Sequence, residues 1–177
     1  VDSMLTITYP DNKHVIDHRK RVKEIRLRIF DYYQLERKLL PGKSAPDIVL
    51  NDTAGKPHSL KSYLGKKVIV YFWAGWSAKS RQDNQRLIKI YESLKLQNIE
   101  IMGVSLDENE IVWKGAIKLD KLPWLQLSDL GGLRSEIKKS YNVPDDLPFY
   151  YVLDEKHLII GKSKQLDEVV NMIEETD

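Results

Sequence analysis

Two serines three residues apart, Ser77 and Ser80, lie where an apolar segment gives way to an amphipathic one. Residues 68–74 are rich in β-branched and aromatic side chains, which predicts a buried central strand. Ser77 is suited to cap a helix that begins directly after it. A serine in this position is a nucleophile only if a base lies within reach. The chain has four histidines, His14, His18, His58 and His157. All of them lie outside residues 66–81 and 141–154, so nucleophilic serine chemistry is disfavoured.

The composition excludes several classes of protein. The 177 residues are 42% hydrophobic and 31% charged, with a net charge of +2, which indicates an ordinary globular domain and gives no case for nucleic acid binding. The longest apolar run is far shorter than the roughly 20 residues that a membrane span needs. No cysteine is present, so disulfides, thiolate metal sites and cysteine chemistry are excluded. His14 and His18 have a metal-binding spacing without an evident third ligand, and we expect neither metal nor cofactor.

The order of the predicted elements is that of an α/β protein. A strand, a helix ending near Gln97 and a second strand at residues 99–106 predict a right-handed parallel crossover. Before this crossover we expect a strand at 48–50 and a short helical turn at 59–65. After it we expect helices at 108–119 and just before Tyr141, an antiparallel strand pair at 149–153 and 157–160, and a last helix at 165–175.

The N-terminal region is predicted to be a long helix over residues 13–39, preceded by a possible edge strand at 5–9. Nine basic and four acidic residues give the helix a net charge of +5. Its apolar stripe consists of Val15, Val22, Ile25, Ile29, Tyr32 and Leu39. Two interpretations remain open: a basic surface that docks an anionic partner or lipid headgroups, and a solvated face on a helix whose stripe packs on the main domain or a partner. The interspersed acidic residues favour the second.

The segment around the serines resembles the active-site motif of the thioredoxin superfamily. In its TlpA/ResA-like branch, of AhpC/TSA–redoxin type, a strand is followed by Phe-Trp-Ala-x-Trp-Cys-x-x-Cys-Arg and a helix. Ser77 and Ser80 stand where that motif has its two cysteines, and the residues that match are Phe72, Trp73, Ala74, Trp76 and Arg81. Residues 42–56 resemble the first hairpin of the same proteins.

The resemblance implies a fold and two domains. We expect a thioredoxin-like three-layer α/β fold, a central mixed sheet flanked by helices, with an N-terminal helical extension at 1–40 and the main domain at 41–177. Tyr141 and Val143, followed by a loop that ends in Pro148, resemble the family's second signature. In thioredoxin folds the proline at this position is cis and lies against the dithiol.

The resemblance also implies the site residues. Ser77 and Ser80 occupy the catalytic positions, Pro148 the cis-proline position, and Glu108, with Asp107 as its neighbour, the position of an acid that helps to move protons. Without thiols, either acid is expected to cap the helix that follows. The groove is predicted to consist of Trp76, Leu147 and Phe149, with a protein or peptide as its partner. The family implies the bacterial cell envelope; the chain has no charged-then-apolar leader and is itself silent about compartment.

Two functional hypotheses follow from the missing sulfur. A serine hydroxyl gains no ionisation comparable to that of a thiol at a helix N-terminus, and two hydroxyls form no disulfide. The chain is then either a natural member that keeps the fold for binding, or a Cys-to-Ser variant of an active oxidoreductase. Because Ala78 and Lys79 between the serines also depart from the usual pair, natural loss is favoured, and whether the protein is an enzyme stays open.

Overall fold

The computed structural model describes residues 8–9 and 12–175, so most of the predicted strand at 5–9 lies outside the described residues. The chain divides into two units, one ending at Lys38 and the other beginning at Leu39. The first contains helix α1, Lys13–Lys38, in which no residue is buried. Three side chains of its predicted stripe, Ile25, Ile29 and Tyr32, are each more than half exposed.

The second unit contains a seven-stranded mixed sheet. Its strands are β1 Val49–Asp52, β2 Pro57–Ser59, β3 Lys67–Trp73, β4 Ile99–Ser105, β5 Leu125–Ser128, β6 Phe149–Leu153 and β7 Ile159–Ser163. Their order in the sheet is β2-β1-β5-β4-β3-β6-β7. The helices are α2 Ala78–Leu96, α3 Glu110–Asp120, α4 Glu136–Ser140 and α5 Leu166–Glu174, with short 3-10 helices at Leu60–Tyr63 and Gly132–Arg134. The predicted α/β fold around a central mixed sheet is confirmed.

Strand β3 lies inside the sheet and is buried along its whole length, as its apolar sequence predicts. It pairs in parallel with β4, with Trp73 opposite Ser105, and antiparallel with β6, with Phe72 opposite Phe149. Three segments therefore lie close together at one edge of the sheet: the turn after β3, the loop after β4 and the loop before β6. The candidate site lies at this edge.

Three aromatic side chains pack behind this edge. The rings of Tyr71 and Tyr150 stack with centroids 4.9 Å apart and planes 11° apart, and Trp73 stacks on Tyr71 at 6.3 Å. All three side chains are fully buried. Aromatic pairs at such distances stabilise a core beyond their buried area, which gives the end of β3 a rigid base.

The structure contains one strand that the sequence analysis does not predict, and two other elements begin two residues later than expected. Strand β5 was not predicted; it lies between β1 and β4, and Gln126 in it accepts a hydrogen bond from the buried Trp73 indole N–H at 3.0 Å. The helix expected over 108–119 begins at Glu110, because Asn109 caps it by accepting hydrogen bonds from the N–H groups of Ile111 and Val112. Strand β7 begins two residues later than expected, at Ile159.

Candidate functional site

Ser77 joins the helix to the proline loop. Its Oγ accepts a hydrogen bond from the Ser80 N–H at 3.2 Å, which is the capping role predicted for it. Its hydroxyl also lies 3.2 Å from the Leu147 carbonyl oxygen, to which it donates. The Leu147–Pro148 peptide bond is cis, as the resemblance implies for this position. One side chain thus holds the start of α2 against a loop 70 residues further along the chain.

Ser80 is held by its backbone and not by its hydroxyl. The side chain is fully buried, and its Oγ has no hydrogen-bond partner in the described part of the chain. The Ser80 carbonyl oxygen lies 2.9 Å from the Tyr71 hydroxyl, which donates to it. A buried hydroxyl without a partner is destabilising, whereas a thiol is a weak donor that behaves as a small apolar group. The position suits sulfur better than oxygen.

A buried carboxylate fixes the turn between β3 and α2. Asp107 is 1% exposed, and its Oδ2 accepts hydrogen bonds from the Gly75 N–H and the Ser105 hydroxyl, both at 2.8 Å. The Ser105 Oγ in turn accepts from the Asp107 N–H at 3.0 Å. The prediction that Asp107 or Glu108 caps the following helix is wrong, because Asn109 is the cap. Asp107 holds the turn instead.

Arg81 connects α2 to α3. Its Nε and one terminal nitrogen donate to the two carboxylate oxygens of Asp120 at 2.5 and 2.6 Å, a bidentate arrangement that favours arginine over lysine. Asn84 donates to the same carboxylate at 2.7 Å. The hydrogen bond to Asp120 raises the pKa of the Arg81 guanidinium. The arginine that matches the family motif therefore stabilises the helix pair behind the turn.

A third buried acid, after Asp107 and Asp120, lies behind Ser80, and sequence reasoning missed it. Asp83 is 4% exposed and accepts a hydrogen bond from the Tyr150 hydroxyl at 2.8 Å. Burial raises the pKa of Tyr150 and of Tyr71, and the Asp83 charge raises both further. The sequence contains one signal for the burial of Asp83. A residue three positions after Ser80 lies on the same face of the helix, which here is the inward one.

Glu108 lies apart from the two serines. Its side chain is 62% exposed and makes a loose ion pair with Arg134 at 3.7 Å; no contact with Ser77 or Ser80 is among its interactions in the described residues. It borders a cavity of about 320 Å³ that we call the Trp76 pocket. The residues that line this pocket are Trp76, Leu106, Asp107, Glu108, Asn109, Val112, Gly132 and Leu133.

The predicted groove residues differ in exposure. Trp76 is 55% exposed, whereas Leu147 is 4% exposed, and Phe149 is half-buried. Leu147 contributes mainly its backbone, through the carbonyl that Ser77 contacts. The structure therefore brings Ser77, Leu147 and Pro148 together, with the exposed Trp76 next to Ser77 in the chain and Glu108 on the pocket side.

Comparison with known proteins gives one family. The model of the AhpC/TSA family matches residues 41–166. Thiol-disulfide oxidoreductase ResA of Bacillus cereus (strain ATCC 10987 / NRS 248) is 31% identical over 148 residues, which are 80% of this chain and 83% of that protein. Peroxiredoxin Q of Sedum lineare, a chloroplastic protein, is 30% identical over 151 residues, 77% of this chain and 79% of its own.

Solved structures give the same fold. The thioredoxin domain of a thiol-disulfide oxidoreductase from Bacteroides vulgatus superposes with a TM-score of 0.71 at 31% identity, covering 78% of this chain and 98% of its own. A thiol-disulfide oxidoreductase from Bacteroides fragilis NCTC 9343 gives 0.70 at 29% identity, with 76% and 100% covered. In the described residues no helix is long and apolar enough to cross a membrane.

Proposed function

The chain belongs to the AhpC/TSA family, among its TlpA/ResA-like members with a thioredoxin fold, and we propose that it is a protein- or peptide-binding module with no redox reaction of its own. The TlpA/ResA-like proteins that it resembles are thiol–disulfide proteins of the bacterial cell envelope, and we extend the proposal to that compartment. A chain without cysteine has no thiol to oxidise, so the dithiol reaction of its relatives cannot take place at this site, and we assign the site to binding.

One observation carries the proposal: the turn at Ser77 and the loop at Pro148 are in contact although sulfur is absent. The Ser77 hydroxyl contacts the Leu147 carbonyl at 3.2 Å beside the cis bond to Pro148. The turn before Ser77 is held by Asp107 through the Gly75 N–H. These contacts hold the serine turn against the proline loop without serving electron transfer, which supports a binding role for this surface.

The exposed aromatic ring supports a contact with a partner. Trp76 is 55% exposed, while Trp73, Trp113 and Trp124 are at most 4% exposed. Exposed tryptophans are enriched where proteins contact one another, because the ring buries a large apolar area and keeps one hydrogen-bond donor. The Leu147 N–H donates no hydrogen bond within the described part of the chain, and backbone groups of this kind pair with extended peptides.

The test is binding of peptides selected from a random display library. Peptides that bind the chain are measured by titration calorimetry against the unchanged protein and against Trp76→Ala. We expect Trp76→Ala to weaken binding by about tenfold or more, the effect of removing a central aromatic contact. Leu96→Ala is the matched control, since Leu96 is 90% exposed at the far end of α2.

Two outcomes of the selection would overturn the binding role. One is a selection that yields no binding peptide. The other is a set of peptides whose affinity falls equally in Trp76→Ala and Leu96→Ala, because these would bind elsewhere. Turnover of insulin disulfides above background in the presence of dithiothreitol would contradict the absence of redox activity.

The unpartnered Ser80 hydroxyl favours a second candidate function, an active thiol–disulfide oxidoreductase that this chain represents in a Cys-to-Ser form. The Ser80 Oγ is fully buried and has no hydrogen-bond partner within the part of the chain that the structure describes, and such a position suits a thiol better than a hydroxyl. The codons for residues 77 and 80 in the encoding gene decide between natural loss and replacement.

The Ser77→Cys, Ser80→Cys double variant tests the scaffold. We expect the restored pair to form a disulfide under an oxidant. With dithiothreitol as the electron source, we expect its dithiol form to reduce insulin, because the helix N-terminus stabilises a thiolate. Thiol titration before and after oxidation measures the bond. A pair that stays reduced under an oxidant would show that residues 77 and 80 do not occupy the positions of the family's dithiol.

A further inference from the structure

We propose that the Trp76 pocket binds a lysine or arginine side chain of the partner peptide; this rests on the proposed function and names the residue type that the site selects. The walls of the pocket are apolar and partly open. Trp76 is 55% exposed, Val112 44% and Leu133 42%. Such walls suit the aliphatic stem of a long side chain, which packs along apolar surface while its charged end contacts polar groups.

The charged groups of the pocket are carboxylates. Asp107 and Glu108 both line it. The Asp107 Oδ1 is buried and has no hydrogen-bond partner in the described residues, and its Oδ2 is bound only by neutral donors, the Gly75 N–H and the Ser105 hydroxyl. The buried charge of Asp107 is therefore not matched by a hydrogen-bonded cation, and a ligand cation placed in the pocket would be attracted to it.

Glu108 is set at the pocket by a close backbone approach. Gly132 has a φ of +57°, and a Cβ added there would lie 2.3 Å from the Glu108 Cγ. The positive φ favours glycine, and any larger residue would displace the glutamate stem from this place. The Glu108 side chain remains 62% exposed and so is accessible to a bound cation.

Among the described residues, no cation is hydrogen-bonded to Asp107, and Glu108 has only a loose ion pair. Arg134 is 86% exposed and lies 3.7 Å from Glu108, a geometry in which an ion pair contributes little and is readily exchanged. The charge of Asp107 adds to the effect of Asp120 in raising the pKa of Arg81. The two side-chain hydrogen bonds of the guanidinium to an acid, however, go to Asp120. The exposed face of Trp76 adds an attraction for a cation, since the indole ring is the strongest of the aromatic side chains in this interaction.

The pocket is tested apart from the groove with capped single amino acids. The probes are N-acetyl-arginine-N-methylamide, the lysine analogue, and the norleucine and glutamine analogues, which are uncharged. Binding is followed by NMR through the indole signal of Trp76. We expect saturable shifts with arginine and lysine, and at least about fivefold weaker binding of the uncharged probes.

Glu108→Gln is the decisive variant, because its exposed side chain can change without disturbing the core. We expect it to weaken arginine binding by about fivefold and to leave norleucine binding unchanged. Glu136→Gln is the matched control: Glu136 is 83% exposed and pairs with Lys139, and it does not line the pocket. Thermal unfolding of each variant checks that the fold is retained.

The outcomes separate the two proposals. Norleucine binding as tight as arginine, or equal effects of Glu108→Gln and Glu136→Gln, would overturn the cation pocket. Arginine binding at Trp76 without any selected peptide would support the pocket and overturn the groove. Selected peptides that bind but contain no enriched basic residue would support the groove and overturn the pocket.

Discussion

Substitution by alanine should destabilise the protein at Ser77 but not at Ser80. Ser77→Ala removes a helix cap, which contributes about 1 kcal/mol, and the hydrogen bond to the Leu147 carbonyl, which contributes about 1 kcal/mol more. The free energy of unfolding should therefore fall by about 2 kcal/mol. Since each kcal/mol shifts Tm by about 2–4 °C in a domain of this size, the Tm should fall by about 4–8 °C.

Ser80→Ala should leave the free energy of unfolding unchanged or raise it by up to about 1 kcal/mol. It removes a buried hydroxyl for which the described residues offer no hydrogen-bond partner and introduces a better helix former. Urea unfolding followed by fluorescence of the buried tryptophans measures both variants. Ser93→Ala, at an exposed position of the same helix, gives the gain from helix propensity less the loss of one long, exposed hydrogen bond from the Gln97 side chain at 3.4 Å.

The reasoning would be refuted if Ser80→Ala destabilised the protein as much as Ser77→Ala. Such a result would mean that the Ser80 hydroxyl makes a hydrogen bond in solution. A Ser77→Ala variant as stable as the Ser93→Ala control would refute the other half, because neither the cap nor the contact with Leu147 would then contribute.

Two further predictions follow from the buried charges and rings. Asp120→Asn should lower the free energy of unfolding by at least about 2 kcal/mol, measured by urea unfolding, because it removes the carboxylate that neutralises the Arg81 guanidinium; unchanged stability would show that this pair contributes nothing. Burial raises the pKa of Tyr71, Tyr141 and Tyr150, so the contribution of these three rings to stability should be constant below about pH 10 and should fall above it, where only the unfolded chain loses these protons. Tyrosine absorbance and circular dichroism recorded against pH should show these rings ionising together with unfolding, and ionisation without unfolding would contradict the assignment.

Much of the fold could be predicted because the strongest patterns are local. The apolar segment that became β3, the cap at Ser77 and the amphipathic α2 all appear within about 30 consecutive residues. Strand β5 could not be predicted in the same way. It has four residues after a proline and a tryptophan, too short for a clear alternation, and it is held by pairing with β4 at Met102 and Val104.

The site was predicted only where it follows the motif. Ser77, Leu147 and Pro148 come together as the resemblance implies, while the roles of the acids depend on contacts between distant segments. Asp83 meets Tyr150 across 67 positions of sequence, and Asp107 meets Gly75 across 32. Such pairings between distant segments leave no local pattern in the sequence. The resemblance therefore implies a role near the serines for Glu108, whereas in the structure this side chain pairs with Arg134.

The buried contact between Asp107 and the Gly75 N–H has an evolutionary consequence. Since the bend is anchored by an acid outside the four-residue motif, exchange of both reactive atoms does not require the protein to find a new way to fold. A lineage with this architecture can therefore exchange cysteine and serine at these two positions, in either direction, without losing the contact that fixes the bend.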